Sequence, residues 1–269
     1  MTRFDRGETK NPVSVTPNNE TATRITADET FDTLFQGKLK FFQSRHGYRC
    51  SLDALLLADF AFCLDGEHVA DLGAGNGVVA LMLAYLHPSL SITGLEIQPA
   101  MVDRACRNVQ ANGFVQRVAI RQGDVRKIQD ALAPGSFATV VCNPPYRRLS
   151  AGRISPGEER KIARHEIAAS LSDFLRAGVY LLALRGRMAL VYPAVRIVDL
   201  LQSMRSADLE PKRLRMVHSF ADASASLVLV EGVKMGRSGI EVLSPLVVYE
   251  RARQYSTEVE AMLTGKAAC

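Results

Sequence analysis

The sequence predicts an α/β fold: a seven-stranded, mostly parallel sheet with helices on both faces. Three observations carry that expectation. An apolar strand at Val69–Leu72 runs into a glycine turn and then into the apolar helix Val78–Ala84. Strand and helix patterns alternate from there on, the signature of parallel β-α-β units. Polar residues stand at the ends of successive strands, the edge at which open α/β sheets bind ligands.

The elements follow in chain order. Residues 1–30 are rich in Thr, Asn, Pro and charge and predict a disordered tail. A strand-and-helix extension is expected over 31–65. In it Leu34–Phe42 reads as short strands around a turn and His46–Arg49 as a loop. Leu52–Cys63 reads as a helix capped by Ser51, with Leu52, Leu55, Leu56, Ala58 and Phe62 on its apolar face. The main domain is expected over 66–256. Its first strands fall near 67–72, 91–96, 118–122 and 137–143, with helices at 77–87 and 98–112. Pro99 suits a first helical turn, where its missing N–H is harmless, and Gly113 suits a helix stop. Residues 147–165 read as a loop with a helical end. Ser170 or Ser172 caps a helix to Leu184, and Arg187–Tyr192 forms a fifth strand stopped by Pro193. A helix over 194–206 and strands near 213–219 and 225–233 complete the seven. Ser238–Gly239 reads as a turn, Val242–Tyr249 as an extended segment, and 257–269 as a C-terminal tail.

With 269 residues, 47% of them hydrophobic, the chain can bury a real core. No apolar run approaches the ~18 residues of a membrane span, and no apolar signal core is read at the N-terminus. The five cysteines and five histidines are dispersed, without a C-x-x-C pair. Neither a disulfide framework nor a metal site is expected, and a reducing cytoplasm is the simplest reading. The net charge of +5 is modest, but its placement is informative. Arg147, Arg148, Arg153, Arg160, Lys161 and Arg164 stand against only Glu158 and Glu159. Such a cluster suits a phosphate backbone, or else a solvated loop and helix face.

Two motifs carry chemistry. Asn143-Pro144-Pro145-Tyr146 ends the strand Phe137–Cys142. Each proline fixes its own φ and restricts the residue before it, so the four residues form a stiff, extended lip. An amide, a backbone carbonyl and an aromatic ring are thereby held for a flat, amino-bearing group. Upstream, Asp71-Leu72-Gly73-Ala74-Gly75-Asn76-Gly77 bends from strand to helix, and the next strand ends on Glu96, 19 residues after Gly77. That is close to the spacing at which a carboxylate meets ribose hydroxyls. The glycine spacing is not the nicotinamide G-x-G-x-x-G, which disfavours a nicotinamide oxidoreductase.

The D-x-G-x-G-x-G spacing resembles the first motif of class I S-adenosylmethionine-dependent methyltransferases, whose fold is Rossmann-like. With Glu96, Asp124 and the NPPY lip in this order, it resembles the amino-group methyltransferases. Over residues 34–256 the chain resembles the bacterial valine-tRNA adenine-N6 methyltransferase family. The carriers are Gln43, Gly47–Ala58, Asp71–Gly77, Asn143–Tyr146, Ala163–Glu166 and Pro245–Tyr249.

The resemblance implies S-adenosylmethionine as cofactor, a tRNA as partner, and adenine N6 in an anticodon loop as acceptor. It implies that Asp71, Gly73, Ala74, Gly75 and Gly77 hold the methionine part. Glu96 would take the ribose hydroxyls with Ile97 beside it, Asp124 the adenosine amino group, and the Val125 N–H would lie near the ring. Simpler readings stand next to these: Asp71 as a turn cap, Glu96 as a solvated strand end, Asp124 as part of a common Gly-Asp turn. For transfer, the Asn143 side-chain oxygen and the Pro144 carbonyl would accept the amine hydrogens. Pro145 would stiffen the lip and Tyr146 would stack on the base. Tyr48, Arg49 and Asp53 line the entrance or else pack and cap. Arg147, Arg148, Arg153, Arg164 and His165 touch phosphate or else form ordinary surface. Guanine-N2 and glutamine-N5 methylation use the same acceptors and remain rivals. A non-catalytic cofactor- or RNA-binding module is the alternative of a different class, and the intact NPPY and Glu96 argue against it.

Overall fold

The computed structural model describes residues 26–46, 50–145 and 169–265. The alternating run before the main domain forms β1 (Glu29–Leu34) and β2 (Leu39–Ser44), paired antiparallel around a turn at 35–38. The extension therefore begins at Glu29 rather than at 31. Next comes α1 (Leu52–Phe60), apolar nearly all round and accordingly buried. Ser51 occupies its N-cap position, but the Ser51 hydroxyl makes no capping bond. The helix also stops short of the expected Cys63, because Ala61 turns to extended backbone. Phe62 thus leaves the apolar face and is 49% exposed, with the Arg187 guanidinium 5.0 Å above its ring.

The central elements fall close to their expected bounds: β3 (His68–Leu72), α2 (Val78–Leu86), β4 (Ser91–Glu96), α3 (Pro99–Ala111), β5 (Val118–Gln122) and β6 (Phe137–Cys142). In α4 (Leu171–Leu181) the cap is Ser170, in a reciprocal capping box with Asp173. The helix ends before Leu184 because β7 (Leu182–Pro193) begins at once. Leu182 pairs with Phe137 but Arg187 with Thr139, so residues 183–186 bulge out, with Arg185 at φ 65°. That bulge hides the strand's start from a pattern search. Then follow α5 (Ile197–Ser206), β8 (Leu209–His218) and β9 (Ala225–Lys234). The short strands β10 (Glu241–Val242), β11 (Leu246–Val247), β12 (Tyr249–Arg251) and β13 (Gln254–Tyr255) close the extended segment.

Within the expected C-terminal tail, Thr257–Leu263 forms α6. The Ser256 hydroxyl accepts from the Val259 N–H, while Val259 and Met262 are buried and Glu258 forms a two-pronged ion pair with Arg215. One short apolar stripe suffices once the body of the protein covers it.

The seven expected strands lie in the order β5-β4-β3-β6-β7-β9-β8, and only β9 runs against the others. The two-residue strands β10 and β11 extend the β8 edge in parallel. Alternate residues serve opposite faces. Val69, Val141, Ala189 and Val191 pack into a core with α1, α2 and α6. Ala70, Leu72, Val140, Cys142 and Leu190 pack with α4 and α5. Both faces are thus covered, as a parallel sheet requires. Among the described residues no helix is long and apolar enough to cross a membrane.

Candidate active site at the carboxyl edge of the sheet

Register brings the motifs together. Leu72 pairs with Leu95 on one side and Cys142 on the other, and Glu96 pairs with Gln122. The glycine bend, Glu96, the Gly123–Asp124 turn and the Asn143 lip therefore leave neighbouring strands at one edge.

The bend is fixed by backbone. The Gly73 and Ala74 N–H groups both donate to the Leu95 carbonyl, at 2.9 and 3.0 Å. Gly75 has φ 57°, and a Cβ there would meet no heavy atom within 4 Å. Its glycine is needed for conformation, and the space beside it is open to a ligand. Gly77 has φ 82° and starts α2, and a Cβ there would sit 3.2 Å from the Ala105 methyl.

Asp71 is 1% exposed at the end of β3, and its Oδ2 has no hydrogen-bond partner. Burial pushes its carboxyl up to about 7 and the Glu96 charge adds to this, while a hydrogen bond from the Ala80 backbone opposes it. On the other side of Gly75 the buried Asn76 side-chain nitrogen also lacks a partner. A buried orphan acceptor and a buried orphan donor in one bend are costly unless something else completes them.

Glu96 is 6% exposed. One carboxylate oxygen accepts from the Gly75 N–H at 3.0 Å and the other from the Gln98 N–H at 2.9 Å. Each oxygen keeps a second lone pair for a ligand hydroxyl. Ile97, next along, is 42% exposed, an apolar surface beside the acid. Val125 lies buried after Asp124. Asp124 itself is engaged: its oxygens accept from the Arg126 backbone N–H at 2.9 Å, from Nε at 3.0 Å and from a terminal nitrogen at 2.6 Å. The Arg126 hydrogen bond holds this carboxyl below its usual value. To receive an amino group, Asp124 must first release the half-exposed Arg126.

At the neighbouring strand end Asn143 is half-buried, Pro144 buried and Pro145 exposed. Asp53 is half-buried in the first turn of α1, and its charge adds to the burial that pushes the Cys50 thiol up to about 12. Tyr48, Arg49, Tyr146, Arg147, Arg148, Arg153, Arg164 and His165 lie outside the described residues.

Pattern reading missed the brace behind the bend. Asn108 on α3 is fully buried. Its Oδ1 accepts from the Phe42 N–H at 2.6 Å, and its Nδ2 donates to the Phe42 carbonyl at 3.2 Å and the Asn76 carbonyl at 2.8 Å. One turn on, Asn112 makes the same two-way contact with Lys40, at 2.9 and 2.5 Å. Nearby, Glu29 is 2% exposed and takes Arg104 at 2.8 Å and both terminal nitrogens of Arg107. The available signal was the Asn pair at i, i+4, Asn108 within α3 and Asn112 at its C-cap.

This strand order with one reversed strand, a glycine bend after β3 and an acid ending β4 define a Rossmann-like class I methyltransferase fold. A solved structure described as a predicted O-methyltransferase from Agrobacterium tumefaciens shares the fold, with a TM-score of 0.67 at 21% identity, covering 81% of this chain and 98% of that one. The chain belongs to the methyltransferase small domain family, whose model matches residues 53–192. Among curated relatives, the tRNA1(Val) (adenine(37)-N6)-methyltransferase of Porphyromonas gingivalis is 31% identical over 167 residues, which are 61% of this chain and 65% of that protein. The protein of the same name from Histophilus somni is 28% identical over 222 residues, 82% of this chain and 90% of its own. The chain thus spans 65% of the length of the Porphyromonas relative.

Proposed function

We propose that this protein transfers a methyl group from S-adenosylmethionine to the N6 amino group of an adenine in a tRNA anticodon loop. The observation that carries the reading is one of placement: the Asn143–Pro145 lip leaves β6 directly beside the glycine bend leaving β3. The names of the curated relatives support adenine N6 and a valine tRNA.

The residues fit the cofactor. Asp71 offers a buried acceptor for its ammonium, Asn76 a buried donor for its carboxylate, and Glu96 two lone pairs for its ribose hydroxyls. Exposed Ile97 suits the face of its adenine. When bound, S-adenosylmethionine supplies an activated methyl on a positively charged sulfur. The protein's part is to prepare the nucleophile. An aromatic amine is a poor one, since its lone pair is delocalised into the ring. The Asn143 side-chain oxygen and the Pro144 carbonyl accept its two hydrogens and turn the lone pair out of the ring plane. Positioning of this kind carries much of the rate in group transfer and needs no strong base beforehand. As the methyl's bond to sulfur breaks and its bond to nitrogen forms, the nitrogen becomes cationic and then releases one proton to water.

The test is methyl transfer from tritiated S-adenosylmethionine to bacterial tRNA, rRNA and protein, read by nucleoside and amino-acid mass spectrometry. N6-methyladenosine in tRNA is expected. Label in N2-methylguanosine or in glutamine overturns the acceptor. Asn143→Ala is expected to lower turnover by at least about 100-fold, the scale of one lost transition-state contact, while cofactor affinity stays near wild type. A normal rate in that variant refutes the mechanism.

A further inference from the structure

The sheet edge that carries the lip continues past it. β8 runs in the same direction as β6 and β7, so its end at His218 lies on the same edge as Asn143. Two strands, β7 and β9, stand between them. Three strand spacings make roughly 14 Å across the sheet, and because the register puts Arg215 level with Asn143, His218 stands three residues, roughly 10 Å, further along its strand; a few nucleotides of single strand cover that reach.

At that point the chain builds an aromatic row. The Phe220 and Tyr249 rings are 5.6 Å apart, and Tyr249 and Tyr255 are stacked 5.0 Å apart with planes at 20°. The tyrosines are half-buried, whereas Phe220, at the outer end of the row, is 36% exposed. Its loop is held in one shape. The Ala223 N–H donates to the Phe220 carbonyl at 3.0 Å, and the His218 ring contacts the Ala223 carbonyl at 2.7 Å. The Val248 and Tyr249 N–H groups tie the neighbouring segment to His218 and Ser219, at 2.8 and 3.0 Å.

Beyond Tyr249 the β12–β13 turn presents Arg251 and Arg253, both exposed, the latter at φ 65°. Neither has an ion pair among the described residues. The local acids are Asp222, exposed, Glu250, which faces Thr257 at 3.4 Å, and Glu258, which Arg215 holds. The row thus ends in one accessible ring and two available guanidinium groups.

We propose that Phe220 with the Arg251–Arg253 turn is a second RNA-contact surface. A nucleotide flanking the target base stacks on Phe220 while the arginines meet its phosphates. Aromatic stacking together with backbone charge is how proteins grip unpaired strands without reading sequence. The surface would hold the loop while the lip takes the base. This inference rests on the reading of the substrate as RNA.

The test is fluorescence anisotropy with a labelled anticodon stem–loop transcript, comparing wild type, Phe220→Leu, Phe220→Tyr and an R251Q/R253Q double variant. Calorimetry with S-adenosylmethionine and thermal melting serve as controls. Phe220→Leu keeps the apolar contact with Tyr249 but removes the ring, so RNA affinity is expected to fall roughly tenfold or more. Phe220→Tyr is expected to bind like wild type. The double variant is expected to flatten the plot of log affinity against log salt by about 1.4, the value for two single-strand phosphate contacts. Cofactor affinity is unchanged in all three. If wild type binds RNA and the Leu and R251Q/R253Q variants match it, this surface is wrong and the substrate reading survives. Equal loss in Phe220→Leu and Phe220→Tyr also overturns it, because the position then serves packing. If wild type binds no RNA at all, both readings fall.

Discussion

Asp71→Asn is expected to make the cofactor-free protein more stable above neutral pH and to abolish cofactor binding. The buried carboxyl is raised from 3.8 to about 7. The folded chain therefore binds this proton more tightly than the unfolded chain, and stability falls as pH rises from the unfolded value toward 7. At about 1.4 kcal/mol per pH unit, wild type loses roughly 3 kcal/mol between pH 5 and pH 8 through this group. The asparagine carries no charge to bury. It keeps an acceptor for the Ala80 N–H but adds an amide nitrogen without a partner, at about 1–3 kcal/mol. That cost does not vary with pH. The difference in melting temperature between variant and wild type should therefore move in the variant's favour by roughly 6–12 °C from pH 5 to pH 8, at about 2–4 °C per kcal/mol for a chain of this size. Scanning calorimetry of both proteins at several pH values measures it, and other titrating groups cancel in the comparison. A difference that stays flat across that range refutes the argument that Asp71 is a desolvated acid. Cofactor affinity carries the reciprocal signature. A cationic partner draws the Asp71 proton off, so binding to wild type should tighten as pH rises toward 7 and then level off.

Two more outcomes are expected. Asn108→Ala leaves three buried backbone groups unpaired and should destabilise by about 2–4 kcal/mol, with weaker cofactor binding because the Asn76 carbonyl loses its tether. Melting and cofactor affinity both at wild-type values would remove Asn108 from the brace. Arg107→Ala leaves Glu29 with Arg104 as its remaining guanidinium partner and should cost about 3 kcal/mol. Burial pushes the Glu29 carboxyl up, but hydrogen bonds from Arg107 and Arg104 outweigh it and hold it at about 2. Its stabilisation is present above the unfolded value of 4.5 and is lost as pH falls toward 2. Acid titration by circular dichroism should show a shallower acid slope in the variant, and an unchanged slope would argue against the ion pair.

Much of the candidate site's placement was legible in the chain. β3, β4, β5 and β6 are short apolar runs bounded by polar or glycine punctuation, and their parallel order puts the following residues at one edge. Gly73, Gly75 and Gly77 all have positive φ, as a sharp strand-to-helix bend demands. Other elements were hidden for identifiable reasons. The start of β7 is masked by the bulge at 183–186. α6 has only Val259, Met262 and Leu263 as an apolar stripe, too little to distinguish it from a tail until the core and Arg215 are seen to cover it.

The sequence alone determined the strand and bend positions and the residue types offered at the carboxyl edge of the sheet, because hydrophobic period, glycine and proline act over a few neighbours. Tertiary structure decided what those residues hold. Asn108 meets Phe42 across 66 positions of chain, and Arg107 meets Glu29 across 78. Arg126 already occupies the acid predicted to take an amino group. Side-chain partners follow from how elements pack in space, and no local pattern encodes that.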